Sequence, residues 1–257
     1  MSRSLITEFS RRGTAAVVRP SLPESYADDI FFEILAYGDT EEIHRSVSAA
    51  LDIPVEAVLH LFSEEDETLR DFGETYAVFP LKLYTSTRNC LSKQTSILRV
   101  YIGSKHLIGL SAQPIDPSHR ARRNLTPSGP GDLLADYVRH TVMGAKFWIG
   151  HSFFQAYDND DPARSKRKRT RARLERNRLR TEVSRVMADL ERLQVDLKSL
   201  LAMNYEWLTG NAKRRIENSV KLIEHIQHNA ASRLGPVRPS WERLNRHFGR
   251  RAADRET

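Results

Sequence analysis

The segment TSILRVYIGSKHLIGLSA, residues 95–112, decides the fold class because it reads as two β-strands joined by a tight turn. Apolar residues dominate both Thr95–Ile102 and His106–Ala112, and each run has the length of an ordinary strand. The tripeptide Gly103–Lys105 lies between them, and a short connection that contains glycine is typical of a β-hairpin. A sheet is therefore the starting point for interpreting the rest of the chain.

Two further strands and two short helices are predicted upstream of this hairpin. The compact apolar run Ile30–Ala36 (IFFEILA) has the composition of a buried strand, and Tyr76–Leu83 reads as another. Between them Asp39 can cap a helix over Glu41–Leu51, and Pro54 can open a second short helix. Strands and helices that alternate in this way predict an α/β (α+β) domain.

A long helix begins at Gly131 and ends at the polar sequence before Pro162, and a heptad pattern follows it. Seven apolar residues recur at alternating spacings of four and three, which predicts a helix with one apolar seam, typical of a coiled coil. We expect this seam to be a homo-oligomer interface, and packing within the same chain is the alternative. The seam residues are Leu179, Val183, Val186, Leu190, Leu193, Leu197 and Leu200.

These elements predict four regions along the 257 residues. Residues 1–27 are polar and interrupted by glycine and proline, and are expected to form a flexible N-terminal arm. Residues 28–128 form the α/β domain. Residues 129–230 form a helical region that contains a basic segment at 164–180 and the heptads at 179–200. Residues 231–257 form a basic C-terminal tail.

The positive charge of the protein is concentrated in the basic segment. The net charge is +7, while residues 164–180 hold ten Lys or Arg against Glu175 alone, which leaves −2 for the rest of the chain. Because the basic segment directly precedes the heptads, as in basic leucine zippers, it can bind a polyanion. The base-reading pattern of those proteins is missing, so we expect sequence-tolerant nucleic-acid binding or contact with an anionic membrane surface, unless the segment is simply solvated. The strongest candidates are Arg164, Lys166, Arg167, Lys168, Arg169, Arg171 and Arg173.

Composition and the motifs that are missing limit the classes of protein to which this chain can belong. A single cysteine, Cys90, excludes an internal disulfide framework and favours a reducing compartment, so we expect a cytoplasmic protein, with attachment to the membrane periphery as the alternative. No window of the sequence is apolar for long enough to span a bilayer. Nucleotide-binding, serine-hydrolase and zinc-protease motifs are missing from the sequence, and we expect a non-enzymatic protein.

Two groups of residues are weak candidates for metal ligands. One is a pair of histidines three residues apart on a predicted amphipathic helix, a spacing that places both on one face, as zinc ligands require. The other is a group of aspartates after the long helix, whose oxygens suit a hard divalent cation. Solvated side chains are the alternative in both cases. The residues are His225, His228, Asp158, Asp160 and Asp161.

Residues 28–157 resemble the cytoplasmic domain of CorA-like divalent-metal transporters in the order of four local patterns. These are DIPVEAVLHLF (52–62), RDFGETYAVFPLK (70–82), TSILRVYIGSKHLIGLSAQPID (95–116) and GPGDLLADYVRHTVM (129–143). The resemblance implies a three-layer α/β/α domain with long helices. By this resemblance alone, Mg²⁺ or another divalent cation is a candidate ligand, and the resemblance assigns no residue to it.

The chain departs from the CorA pattern after this region, because members of that family end in two membrane helices and this chain has charged heptads instead. We therefore expect a soluble, non-enzymatic, oligomeric interaction or regulatory protein that is not itself a membrane channel. Two alternatives remain open. One is a sequence-tolerant nucleic-acid-binding protein that uses the basic segment and the coiled coil. The other is a divalent-cation-sensing accessory of a metal transporter.

Overall fold

A computed structural model describes most of the α/β domain and three long helices. The described residues are 3–10, 17–19, 29–37, 53–54, 56–57, 61, 69–72, 75–86, 93–111, 127–158 and 166–234. The helix predicted over Glu41–Leu51 lies outside them, as does the C-terminal tail beyond residue 234. The chain divides into two compact units, residues 1–223 and 224–257.

Seven strands form one mixed sheet in the order β2-β1-β3-β7-β6-β5-β4. Only β3 and β7 are parallel, and every other neighbouring pair is antiparallel. The sheet confirms the strands predicted from the apolar runs and the hairpin between β6 and β7. The strands are β1 (Arg3–Ser10), β2 (Val17–Arg19), β3 (Ile30–Tyr37), β4 (Arg70–Phe72), β5 (Tyr76–Ser86), β6 (Lys93–Ile102) and β7 (His106–Ser111).

Within the region expected to form a flexible arm, residues 1–27, the described residues 3–10 and 17–19 are strands of the sheet. Strand β1 pairs with β3 along its whole length, from Arg3 opposite Tyr37 to Ser10 opposite Ile30. Its Ile6 joins the hydrophobic core and is only 7% exposed. Only Leu5, Ile6 and Phe9 are apolar in RSLITEFS, and they do not alternate with polar residues, so the strand has little hydrophobic signal of its own. Its stability comes from hydrogen bonding to the buried strand β3.

Both faces of the sheet are covered, which gives the three layers that the resemblance implies. On one face Ile34, Val78 and Ile108 pack against the helical residues Ala57 and Leu61. The opposite face carries the alternate residues of the same strands, and a long helix packs on it. The buried Glu33 on that face accepts a hydrogen bond of 2.6 Å from the Tyr137 hydroxyl of this helix.

Three helices make up the rest of the described structure: α1 (Pro130–Asp158), α2 (Lys166–Ala202) and α3 (Gly210–Leu234). Helix α1 packs on the sheet, and α2 packs on α1. Gly144 allows α1 to pass close to the sheet, since a Cβ atom there would lie 2.6 Å from the backbone oxygen of Tyr84. Thr209 begins α3 by accepting a hydrogen bond from the backbone N–H of Ala212 on its side-chain oxygen.

The heptad seam lies on α2 and is buried by the chain itself. Its seven residues are between 1% and 7% exposed in the single chain. Leu190 and Leu193 line a cleft against the sheet, and α1 packs along the same helix. Because these side chains are already covered, packing within the same chain is favoured over an oligomer interface for Leu179, Val183, Val186, Leu190, Leu193, Leu197 and Leu200. A heptad pattern requires an apolar surface opposite the seam, but it does not specify that a second chain supplies it.

A buried charge cluster joins the start of α1 to the start of α3. Asp132 is 2% exposed and accepts hydrogen bonds of 2.9 Å from the backbone N–H of Ser128 and from the Asn211 amide. The Arg215 guanidinium lies 3.5 Å from Asp132 and also forms an ion pair with Asp136. Because a buried carboxylate is costly unless it is paired, this cation holds the two helix ends together.

Leu190→Ala should lower the free energy of unfolding by about 2 to 5 kcal/mol, because it leaves a cavity at a fully buried seam position. Chemical denaturation measures this loss. Val195→Ala is the matched control on the same helix, since Val195 is 60% exposed, and it should change stability by less than about 0.5 kcal/mol. If Leu190→Ala lowers the molar mass in solution and leaves stability unchanged, the seam is an intermolecular contact after all.

Arg215→Ala should cost about 3 to 5 kcal/mol, because it leaves the Asp132 carboxylate buried without its cation. Arg214→Ala removes the same charge from the neighbouring, exposed position and should be close to neutral. Equal unfolding midpoints for the two variants would show that the cluster does not hold α1 and α3 together.

Candidate functional site

A cleft of about 60 Å³ lies between the sheet and helix α2, and charged side chains from both line it. Strands β5 and β6 form one wall, α2 forms the other, and Thr141 of α1 contributes at one side. The lining residues are Pro80, Lys82, Tyr84, Ile97, Thr141, Asp189, Leu190, Arg192, Leu193 and Asp196. We refer to this site as the β5–α2 cleft.

The Asp189 carboxylate joins the two walls of the cleft. Its Oδ2 atom accepts a hydrogen bond of 2.8 Å from the Tyr84 hydroxyl and lies 2.9 Å from the Lys82 ammonium group. Lys82 and Tyr84 are two residues apart on β5, so their side chains leave the same face of the strand. Since a single carboxylate oxygen meets both a cation and a hydroxyl donor, the carboxylate is both neutralised and hydrogen-bonded.

Tyr84 is enclosed on several sides. Its side chain is 5% exposed, and its ring meets the Trp148 ring edge to face at a centroid distance of 5.0 Å. Burial raises the pKa of the Tyr84 hydroxyl far above its usual range, and the hydrogen bond to Asp189 and the charge of Asp189 raise it further. Tyr84 is therefore a hydrogen-bond donor in the cleft and is not available as a base.

The cleft is also lined by a second carboxylate and by an unsatisfied hydroxyl group. Burial raises the pKa of Asp196, while a backbone hydrogen bond from Leu69 and the charge of Arg192 lower it in part. The Thr141 Oγ1 atom is buried and has no hydrogen-bond partner among the described residues. Beside Thr141 the cleft can therefore accept a water molecule or a small polar group.

The polar residues of the cleft were not predicted from the sequence, although the heptad pattern contained a signal for two of them. Asp189 and Asp196 are seven residues apart, each directly before a seam position, so both lie on the same flank of the seam. A half-buried flank with two aspartates requires cations or donors on the facing element. Lys82 and Tyr84 supply these, but nothing in the sequence showed that β5 lies opposite α2.

Of the candidate metal ligands, the structure describes His225, His228 and Asp158. His225 and His228 are exposed on α3, and the His225 Nε2 atom lies 2.8 Å from the Asn229 amide nitrogen. Asp158 is the last residue of α1, and Asp160 and Asp161 lie outside the described residues. Within the described part of the chain, no group of three or more His, Cys, Asp or Glu residues is arranged to hold a metal ion.

The basic segment occupies the first turns of α2. Lys166, Arg167, Lys168, Arg169, Arg171 and Arg173 all belong to this helix, and Arg164 lies outside the described residues. Further along the helix Arg178 and Arg180 are exposed, and Leu174 is 66% exposed. The expected contact with a polyanion stays a prediction.

Comparison with solved structures identifies the architecture. The full-length CmaX protein matches 96% of this chain over 80% of its own length, with 16% identity and a TM-score of 0.63. The CorA magnesium transporter from Methanocaldococcus jannaschii matches 90% of this chain over 73% of its own length, with 15% identity and a TM-score of 0.68. The ZntB cytoplasmic domain from Vibrio parahaemolyticus matches 88% of this chain over 93% of its own length, with 11% identity and a TM-score of 0.61.

The mixed sheet with long C-terminal helices is therefore the fold of the soluble domains of CorA-like transporters, as the sequence resemblance predicted. At these low identities the likeness shows the fold alone. No family model matches the sequence, and no curated protein matches it either. Among the helices that the structure describes, none is long and apolar enough to cross a lipid bilayer.

Tyr84→Phe should lower the free energy of unfolding at neutral pH by about 1.5 to 3 kcal/mol, because it removes a hydrogen bond to a charged group. Since the folded-state pKa of Tyr84 is raised, its stabilising contribution is complete below the unfolded-state pKa of about 10 and is lost as the pH rises above it. Above that pH, the free energy of unfolding of the wild type should therefore fall by about 1.4 kcal/mol per pH unit more than that of the variant.

Chemical denaturation across the alkaline range, with both proteins measured at each pH, gives the two slopes. Asp189→Asn is a second test, since removing the carboxylate charge should let Tyr84 ionise at a lower pH, which tyrosinate absorbance detects. Identical alkaline slopes for wild type and Tyr84→Phe would contradict the proposed environment of this hydroxyl.

Proposed function

We propose that this protein is a non-enzymatic regulatory domain that acts in the cytoplasm beside a metal-ion transport system of the CorA type. The observation that carries the proposal is the extent of the structural match. The ZntB cytoplasmic domain matches 88% of this chain over 93% of its own length, so the likeness includes the sheet and the long helices together. The same combination occurs in the CorA magnesium transporter, which gives the proposal its cation.

The chemistry of the β5–α2 cleft supports a regulatory role. Its Lys82, Tyr84 and Asp189 side chains are engaged with one another across the cleft, so they join α2 to the sheet. At the start of α1 the Asp132 and Arg215 pair joins α1 to α3. With these two attachments, a change at one surface of the domain would move the sheet and the helices together. Regulation requires such a connection between distant surfaces.

The proposal includes self-association through a surface other than the heptad seam, since the seam is already buried within the chain. It also includes a response to Mg²⁺ or a related divalent cation, with no residue assigned as a ligand. Assembly that depends on a divalent cation would distinguish a cation-sensing accessory from an interaction module that assembles without one.

Light scattering on the purified chain, with and without millimolar magnesium, tests this function. The expected result is a molar mass that is a multiple of the single-chain 29.5 kDa in magnesium and that falls when the cation is chelated. Sodium chloride at equal ionic strength is the control for general screening of the net charge of +7.

If the molar mass is a multiple of the single-chain mass and does not change on chelation, the protein is an interaction module without a cation response. A single-chain mass in every condition, together with no shift of the thermal unfolding midpoint by magnesium, would remove both parts of the proposal. Zinc and cobalt are tested in the same way, because an ion that binds only the folded state must raise the thermal unfolding midpoint.

A further inference from the structure

Helix α1 carries an apolar stripe on its outer surface. Met143, Phe147 and Phe154 are 44%, 57% and 67% exposed, although the opposite side of the same helix is buried on the sheet. Their spacings of four and seven residues place them on one helix face, together with Gly150. The stripe is about 17 Å long at the usual helical rise. Two exposed phenylalanines on one face are more than scattered surface hydrophobicity, and such patches mark interaction surfaces.

The apolar stripe reaches the same end of the molecule as the basic residues. Helix α1 ends at Asp158, seven residues separate it from Lys166 at the start of α2, and the two helices pack on each other. They therefore form a helical hairpin in which the last turns of α1 lie beside the first turns of α2. Leu174, Arg178 and other described side chains on these turns of α2 are exposed.

Charge and apolar surface therefore occur together at the closed end of this hairpin. Residues 166–180 contain nine Lys or Arg and one Glu, a net charge of +8 on less than half of one helix. The neighbouring exposed side chains include two aromatic ones and the aliphatic Met143 and Leu174. Basic residues next to exposed large apolar residues are the combination that binds the surface of an anionic bilayer.

The same observations disfavour the two other occupants. A nucleic acid would complement the charge, and Phe147 and Phe154 can stack on bases, but the aliphatic Met143 and Leu174 would have no partner there. A second copy of the chain would place another +8 segment near the first, and like charges oppose that contact. A bilayer with anionic headgroups complements both the charge and the apolar stripe.

We propose that the closed end of the α1–α2 hairpin docks on an anionic lipid surface. Phe147, Phe154 and Leu174 enter the boundary between headgroups and acyl chains, and the basic residues of α2 remain at the phosphate level. Because the opposite side of α1 is buried on the sheet, the domain lies on the membrane without spanning it. This proposal does not depend on the proposed regulatory function, since it concerns only where the domain is held.

Flotation with phosphatidylcholine vesicles, with and without phosphatidylserine, tests the charge requirement. The full chain should bind only the vesicles that contain phosphatidylserine, and less so as salt is raised. Replacing Lys166, Arg167, Lys168 and Arg169 with Gln should weaken binding by roughly a hundred- to a thousandfold. The matched control replaces four basic residues elsewhere on the exposed surface, Arg185, Lys198, Arg214 and Lys221, with Gln. It should weaken binding by less than about tenfold, since distant charges are screened.

The apolar requirement has its own pair of variants. Phe147→Ser combined with Phe154→Ser should weaken binding at least about tenfold, because binding scales with the apolar area that enters the bilayer. Val195→Ser, at an apolar position that is 60% exposed on α2, should leave binding unchanged. A Phe154→Trp variant should show fluorescence quenching by brominated acyl chains beyond that of the wild type, whose three tryptophans provide the baseline.

Three outcomes would overturn the proposal. The first is binding to duplex or single-stranded nucleic acid that is tighter than vesicle binding at equal salt and insensitive to the phenylalanine variants, which would assign the segment to nucleic acid. The second is a fall in molar mass on replacing the two phenylalanines, with vesicle binding unchanged, which would assign the stripe to self-association. The third is failure of wild type and Phe154→Trp alike to bind anionic vesicles at low salt. Circular dichroism on each variant confirms that it is folded before its binding is compared.

Discussion

The arrangement of the long helices depends on the placement of α2 against strand β5. Tyr84 is buried against this helix and its hydroxyl needs an acceptor there, and Asp189 supplies it while also pairing with the partly exposed Lys82. On either side of this contact the leucines of the seam bury apolar surface, which provides most of the free energy. The carboxylate contributes less energy and more specificity, because sliding α2 by one turn would leave a cation and a hydroxyl group without their acceptor.

Most of the architecture could be predicted because it follows from short-range periodicity. The strand at Ile30 and the hairpin around Gly103 follow from short apolar runs of strand length, and the long helices follow from apolar residues at helical spacing. Strand β1 was missed because its pairing with β3 supplies the order that its own polar residues do not. The partner of the heptad seam could not be assigned for a related reason: an apolar stripe must be covered, but its sequence does not specify by which surface.

The cleft could not be predicted from the sequence either. Thr141, Lys82 and Asp196 come from three elements that are far apart in sequence, and none of them belongs to a motif with fixed spacing. Solved structures with the same architecture are only 11% to 16% identical to this chain, so the architecture does not depend on particular residues. The sheet and its covering helices need only apolar residues of suitable size, whereas a polar cleft needs particular residues at particular places.

The basic part of α2 shows how the fold and a docking surface can be connected. The first buried seam residue is Leu179, although the helix begins at Lys166, so its first 13 residues extend beyond the seam. A helix of that length is marginal by itself, and like charges three and four residues apart weaken it further. It is continuous with a packed helix, which removes the cost of nucleation. An anionic surface that neutralised the charges would stabilise it more, so binding and helix stability at this end of the molecule should rise together.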